Sequence, residues 1–101
     1  TSIIGQLNQA APIPDSFEFS YPYPNPFNPS TLIKFALPND SKVKIMAYDI
    51  TGRHVDTILN KRLDAGYYDI TWKPSRLSSG IYLLNIQTDG SDLTHKVMYI
   101  K

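Results

Sequence analysis

Residues 80–100 have the sequence GIYLLNIQTDGSDLTHKVMYI, in which two runs rich in apolar residues flank a turn signal. Tyr82, Leu84 and Ile86 occupy every second position of its first half, which is the pattern of a strand with one buried face. Asp89-Gly90 is a strong hairpin signal, because glycine accepts the positive φ angles that tight turns need. The stretch therefore predicts two antiparallel strands joined by a short turn.

The second strand of this hairpin, over residues 93–100, has apolar residues on both faces. Val97 and Tyr99 form one candidate inward set, and Met98 and Ile100 form the other. Alternation alone does not choose between the two sets, so the inward face of this strand stays open.

The chain upstream of the hairpin has a similar pattern of residues. Short β-branched and aromatic runs are separated by turn residues about every ten positions, which is typical of a sandwich or barrel. No segment has a convincing helical pattern. The predicted strands cover the extended segment 21–29 and residues 31–37, 42–49, 53–60, 67–72, 80–88 and 93–100. Seven strands with short connections predict an all-β fold, a seven-stranded immunoglobulin-like antiparallel β-sandwich with Trp72 in its core.

Six of the eight prolines lie at or before Pro29, in a stretch with no helical or alternating pattern. Proline fixes φ, has no N–H group and pushes the preceding residue to extended angles. Residues 21–29 are therefore expected to form an irregular extended segment at a sheet edge. Tyr21, Tyr23 and Phe27 either pack this segment onto the sandwich or remain exposed for stacking on a sugar or a partner chain.

The composition excludes several classes of protein. The chain has 101 residues and a formal net charge of +1, which suits one domain and offers little long-range attraction to nucleic acid or to an anionic membrane. The absence of cysteine excludes disulfides, iron–sulfur clusters and thiol nucleophiles. No apolar run reaches the roughly 20 residues that span a bilayer. Because the chain begins at Thr1 without Met, we interpret it as part of a longer protein.

Candidate catalytic and metal-binding residues are few. His54 and His95 are the only side chains that ordinarily titrate near neutral pH, and both occupy positions expected to face solvent. No nucleophile motif accompanies them, and the only glutamate is Glu18. Asp89 and Asp92 lie close together but lack the ordered ligand series of a calcium loop. We therefore expect no catalytic residue, no metal and no cofactor.

Five motifs relate the chain to a known family. The first comprises Pro24, Asn25, Pro26, Phe27, Asn28 and Pro29, and the others lie at 48–53, 65–72, 77–82 and 96–101. In this order and spacing, the motifs resemble the C-terminal sorting domain of type IX secretion cargo over residues 20–101. The immunoglobulin-like domain of flagellar hook-capping proteins looks similar through the middle strands. The sequence departs from the family pattern at Lys73-Pro74, where many members have Asp-Gly.

The resemblance implies a non-catalytic sorting signal that directs a parent protein through the outer membrane by type IX secretion. Residues 1–19 would then be a linker from an upstream secreted protein, and residues 20–101 the sorting domain. The implied partners are the outer-membrane export machinery and a sortase-like protease, which removes the domain during anchoring to surface lipopolysaccharide; no nucleic acid and no transmembrane segment are implied. The implied location is secreted or at the cell surface, after transit of the periplasm and the outer membrane.

Recognition is expected at the terminal hairpin, because an edge strand offers unpaired backbone groups to a partner. The residues assigned to recognition are Gly80, Tyr82, Gly90, Lys96, Val97, Tyr99 and Lys101. An alternative function is an accessory carbohydrate-binding or adhesion module of a secreted hydrolase. The alternative predicts a row of exposed aromatic side chains on one sheet face, whereas sorting predicts an exposed terminal hairpin that is able to pair.

Overall fold

The structure is a computed structural model, and it describes residues 2–6 and 13–101. These residues form strands, turns and irregular segments and contain no helix. The strands are β1 (Ser2–Gln6), β2 (Glu18–Phe19), β3 (Thr31–Leu37), β4 (Ser41–Asp49), β5 (His54–Leu63), β6 (Gly66–Trp72), β7 (Gly80–Gln87) and β8 (Asp92–Tyr99).

Two four-stranded sheets make up the fold. The first has the strand order β1-β6-β3-β2, and the second has the order β5-β4-β7-β8. Every hydrogen-bonded pair of strands is antiparallel. The inward side chains of both sheets belong to one apolar core. The predicted all-β, immunoglobulin-like antiparallel sandwich is thus confirmed, and β3 to β8 correspond to six of its seven predicted strands.

The core lies between the sheets because alternate side chains of each strand point inward. Along β4, for example, Val43, Ile45 and Ala47 are fully buried, and the residues between them are partly exposed. The bulkiest fully buried side chain is that of Trp72, with 0% of its surface exposed. Its indole N–H donates a hydrogen bond of 2.8 Å to Asp56 Oδ2, so the polar atom of the ring is satisfied. The prediction that Trp72 lies in the core is confirmed.

The inward face of the last strand is now defined. Val97 and Tyr99 are buried, whereas Met98 and Ile100 are 40% and 48% exposed. In the β7–β8 ladder, Val97 lies opposite Tyr82, which points into the core. Directly opposite residues share one face of a sheet, so the register carries Val97 and Tyr99 inward.

The proline-rich segment differs from its predicted form. Residues 21–29 make no strand ladder, and their backbone pairs with the sheets through two isolated bridges, between Tyr23 and Leu32 and between Phe27 and Tyr99. Four prolines lie within these nine residues and remove N–H groups that a continuous ladder needs.

Two strands instead lie within residues 1–19, the stretch expected to be a linker. β1 pairs along five residues with β6, and β2 pairs along two residues with β3. Runs this short give only a weak alternation signal, which explains why the sequence pattern did not reveal them. The division into linker and domain at residue 20 stays a prediction.

Candidate recognition site

The proline-rich motif connects the edges of the two sheets. We call residues 20–29 the strap. At its start the Ser20 amide donates a hydrogen bond of 3.0 Å to the Lys34 carbonyl on β3. Tyr23 and Leu32 then exchange two backbone hydrogen bonds of 3.1 and 2.9 Å. The first half of the strap is thereby held along the edge of the first sheet.

The second half of the strap is bonded to β8, which ends the second sheet. The Phe27 amide donates to the Met98 carbonyl at 2.9 Å, and the Ile100 amide donates to the Phe27 carbonyl at 3.0 Å. Phe27 and Tyr99 form a parallel bridge. A single residue of the strap therefore takes the place of a parallel neighbouring strand at this point of the edge.

The side chain of Asn25 also bonds to the backbone of β8, next to Phe27. Its side-chain oxygen accepts a hydrogen bond of 2.9 Å from the Met98 amide, and its side-chain nitrogen donates one of 3.1 Å to the Lys96 carbonyl. Together with Phe27, Asn25 satisfies both the amide and the carbonyl of Met98. The edge expected to be free for pairing is thus partly covered by the chain's own motif.

The Phe27 side chain anchors the strap in the core. Only 2% of its surface is exposed, and its ring centroid lies 5.1 Å from that of Tyr99 and 5.6 Å from that of Trp72. Tyr21 and Tyr23, by contrast, are both more than three-quarters exposed. Of the two roles left open for these aromatics, packing into the core is confirmed for Phe27, while Tyr21 contacts the His95 ring of β8 but stays largely exposed.

The other motif residues lie at the surface. Pro24, Pro26, Asn28 and Pro29 are exposed, and the peptide bonds preceding the three prolines are cis. The Pro24 carbonyl accepts a hydrogen bond of 2.8 Å from the hydroxyl of the buried Thr31. The motif therefore combines one buried anchor with a polar and proline-rich exterior.

Three of the seven residues assigned to recognition belong to the core. Tyr82, Val97 and Tyr99 are buried between the sheets. The Tyr82 hydroxyl donates a hydrogen bond of 2.6 Å to the Ser78 carbonyl, and burial raises the pKa of this phenol above its ordinary value, with a smaller contribution from the Asp49 charge. Their side chains help to hold β7 and β8 in place and are not presented to a partner.

The other four assigned residues lie elsewhere on the hairpin. Lys96 and Lys101 are exposed, Gly90 lies in the exposed turn between β7 and β8, and Gly80 begins β7 at the opposite end. The Lys101 amide donates a hydrogen bond of 2.7 Å to Ser79 Oγ. The structure does not bring the seven residues together on one surface.

The two histidines differ in environment. His54 is exposed, as expected, and its Nε2 lies 2.9 Å from Thr57 Oγ1. The expectation that His95 faces solvent is wrong, because His95 shares the inward face of β8. Its ring stacks on Phe19 with the ring centroids 4.3 Å apart and meets the tilted ring of Tyr21 at 4.2 Å between centroids. Its Nε2 is 2.7 Å from the Phe19 carbonyl oxygen. Its even spacing from Val97 indicates this placement only once Val97 is known to be buried. The described part of the chain contains no cluster of three or more residues of metal-binding type.

The turn between β4 and β5 contains the best-bonded carboxylate of the described residues. Asp49 Oδ1 accepts hydrogen bonds from the Thr51 hydroxyl at 2.6 Å, the Thr51 amide at 3.0 Å and the Arg53 amide at 3.0 Å. These bonds, the Thr51 hydroxyl first, hold the pKa of Asp49 below its ordinary value of 3.8. Gly52 has a φ of 89°, in the left-handed region that glycine adopts without steric cost.

We expect the contribution of Asp49 to stability to depend on pH. Because the pKa is lower in the folded state, the contribution is present above the unfolded value of 3.8 and is lost as the pH falls through the folded pKa. Replacing Asp49 with Ala should lower the melting temperature at neutral pH and have less effect well below pH 3.8. Asp15→Ala is the control, since Asp15 is exposed and makes no described hydrogen bond or ion pair. An equal effect of Asp49→Ala at both pH values would contradict this expectation.

The feature expected of a carbohydrate-binding module is not found among the described residues. The most exposed aromatic side chains, Tyr21 and Tyr23, belong to the strap and not to a sheet face. At the outward positions of the sheets the described aromatic residues are Tyr48 and Tyr67, which lie on different sheets. The described residues therefore have no row of aromatic rings on one face.

Fold and motif together define a class of protein: a small antiparallel β-sandwich module in which a proline-rich strap covers part of the last strand. A family model described as the secretion system C-terminal sorting domain matches residues 22–101. Because the match covers most of the chain, the chain belongs to this family, whose members are C-terminal sorting signals for type IX secretion. No curated protein and no solved structure matches significantly. The described residues include no helix long and apolar enough to cross a membrane.

Proposed function

We propose that residues 20–101 direct an upstream parent protein across the outer membrane by type IX secretion and then to the cell surface. The family match over residues 22–101 carries this proposal. The strap geometry supports it, because the motif residues Asn25 and Phe27 contact the terminal hairpin through both backbone and side chain. The motif and the hairpin thus act as one structural unit.

Removal of the domain and surface anchoring are the later steps of the proposal. A sortase-like protease cuts within residues 1–19, and the parent protein remains at the cell surface or is secreted. The bonded contacts of the strap begin at Ser20, whose amide is held by Lys34. A cut before that point leaves the strap and its anchor Phe27 with the sorting domain.

The residues assigned to recognition have two different roles in this proposal. Tyr82, Val97 and Tyr99 act from the core, by keeping β7 and β8 in register. Lys96 and Lys101 are exposed and have no carboxylate partner among the described residues, so their ammonium groups remain available to the export machinery.

A reporter fusion tests the proposal. We expect the 101-residue chain, fused after an exported reporter in a host with type IX secretion, to bring the reporter to the cell surface. Deleting residues 93–101 should leave the reporter in the periplasm, since the deletion removes Val97 and Tyr99 from the core. Surface protease accessibility is the measurement. Surface delivery by the truncated fusion would overturn the proposal.

A folded variant is needed as well, because the deletion also destroys the sandwich. The double substitution Lys96→Ala and Lys101→Ala alters only exposed side chains, which contribute little to stability. We expect it to reduce surface delivery with an unchanged melting temperature. Lys34→Ala with Lys61→Ala is the matched control, since both lysines are exposed and lie on β3 and β5, away from the hairpin. If the control variant lowers surface delivery as much as the hairpin variant does, the loss of positive charge is what matters and its position on the hairpin is not.

A further inference from the structure

The outer face of the second sheet has an apolar stripe whose side chains are partly exposed to solvent. β4 and β7 alternate, so the residues between their core side chains face outward and are half-buried. Tyr48 lies opposite Leu83 across the β4–β7 ladder, and Ile81 lies opposite Met98 across the β7–β8 ladder. The outer stripe, as we call it, consists of Met46, Tyr48, Ile81, Leu83 and Met98, and the Tyr48 hydroxyl lies 3.5 Å from Met46 Sδ.

A shallow cavity lies where the outer stripe meets the strap. Its volume is about 240 Å³, and it is lined by Asn25, Pro26, Ile81, Lys96, Val97 and Met98. Since a water molecule occupies about 30 Å³ of the liquid, the cavity has room for a side chain of a partner. Two residues of the sorting motif and two members of the outer stripe thus line one pocket.

The net charge beside the outer stripe is positive, because two lysines, Lys96 and Lys44, outnumber one acid, Asp92. Lys96 lies opposite Leu83 in the β7–β8 ladder, and Lys44 lies two residues before Met46 on the same face of β4. Neither lysine has a carboxylate partner among the described residues. The acid on this face of β8, Asp92, accepts a hydrogen bond of 2.6 Å from Asn85. The complementary partner is therefore apolar at its centre and acidic at its rim.

We propose that the outer stripe is the docking surface for an outer-membrane export protein that presents an apolar patch edged by carboxylates. This inference rests on the proposed function and adds the surface and the chemistry of the partner. A second copy of the chain fits less well, because a twofold interface would place Lys96 and Lys44 of one copy against the same positive patch of the other. A lipid surface also fits less well, because membrane binding uses clusters of about four to eight basic residues, and these lysines are separated by the stripe.

Charge substitutions on the exposed face test the docking surface. In the full-chain reporter fusion, we expect Met98→Glu and Lys96→Glu each to lower surface delivery about tenfold, because the first places a charge in the apolar stripe and the second reverses a charge at its rim. Lys34→Glu is the matched control, because it makes the same charge change on the outer face of the other sheet. Melting temperatures equal to the wild type confirm that each variant is folded. Met98→Lys should lose less than Met98→Glu, since it keeps the positive sign of the face.

The outcomes distinguish failure of the proposed docking surface from failure of the proposed sorting function. If the wild-type fusion reaches the surface and Met98→Glu and Lys96→Glu match the control, the docking surface is wrong and the sorting function stands. If the wild-type fusion itself stays in the periplasm, the proposed function fails.

Binding of the purified chain to outer-membrane vesicles from the host identifies the occupant. A protein partner predicts that protease treatment of the vesicles abolishes binding, and that Met98→Glu weakens binding to untreated vesicles. Binding that survives protease treatment would indicate lipid or lipopolysaccharide and overturn the inference. Concentration-dependent dimers that Met98→Glu dissociates would indicate a second copy and overturn it too.

Discussion

Replacing Trp72 with Ala should lower the free energy of unfolding by about 3–5 kcal/mol, the usual range when a large buried aromatic side chain is truncated. The ring is fully buried, and its centroid lies 5.6 Å from that of Phe27 and 6.2 Å from that of Tyr82. Its loss therefore opens a cavity that rigid neighbours fill only in part. The substitution also removes the donor that satisfies Asp56 Oδ2. Domains of this kind have a total stability of about 5–15 kcal/mol, so the loss is a large fraction of it.

Urea unfolding monitored by far-ultraviolet circular dichroism measures this effect. Tyr23→Ala is the matched control, because Tyr23 is an aromatic residue with 79% of its surface exposed. Its replacement should change the free energy of unfolding by less than about 0.5 kcal/mol. A Trp72→Ala variant that unfolds at the same urea concentration as the wild type would contradict the position of the indole in the core.

The sheet content of the fold is predictable from the sequence because one physical rule, burial of alternate side chains, acts along each long strand. Val43, Ile45 and Ala47 show it clearly, since charged or larger half-exposed residues separate them. In β8 the rule is ambiguous, because both faces are apolar. The register with Tyr82 on the neighbouring strand decides the inward set there.

The strap was not predictable in the same way because its bonds join residues far apart in the sequence. Asn25 is 71 residues from Lys96 and 73 from Met98, and no local pattern indicates those partners. His95 illustrates the same limit: its polarity favours solvent, but an inward position beside Phe19 and Tyr21 provides both ring stacking and a carbonyl partner. Long-range hydrogen bonds and ring contacts override local polarity in this part of the fold.

β8 therefore has three different surroundings, and each has its own role. Its inner face contributes Val97 and Tyr99 to the core, and its outer face contributes Met98 to the outer stripe. The edge that pairs with no other strand of the sheet is bonded to the strap. Core stability, strap attachment and the proposed partner docking are accordingly separable by substitution. Phe27 is the residue that joins the first two.

Replacing Phe27 with Ala should lower the free energy of unfolding by about 3–5 kcal/mol and also release the strap from β8. The side chain is 2% exposed and contacts both Tyr99 and Trp72, so truncation leaves a cavity at the junction of the two sheets. Without this anchor, the strap would keep on β8 the hydrogen bonds of Asn25 and of the Phe27 backbone and the ring contact of Tyr21 with His95. Each hydrogen bond contributes about 0.5–1.5 kcal/mol, whereas fixing the backbone of one residue costs about 1–2 kcal/mol, so the remaining bonds offset only part of the cost of ordering the second half of the strap.

Amide hydrogen exchange separates loss of the strap from general loss of stability. In Phe27→Ala, the amides of Met98 and Ile100 should lose more protection than those of Ile45 and Leu84, because the first two are bonded to the strap and the others lie in strands flanked on both sides. Asn28→Ala is the control within the motif, since Asn28 is exposed and makes no described hydrogen bond, and it should leave stability and exchange unchanged. Equal loss of protection at all four amides would show that Phe27 stabilises the sandwich as a whole and does not specifically anchor the strap.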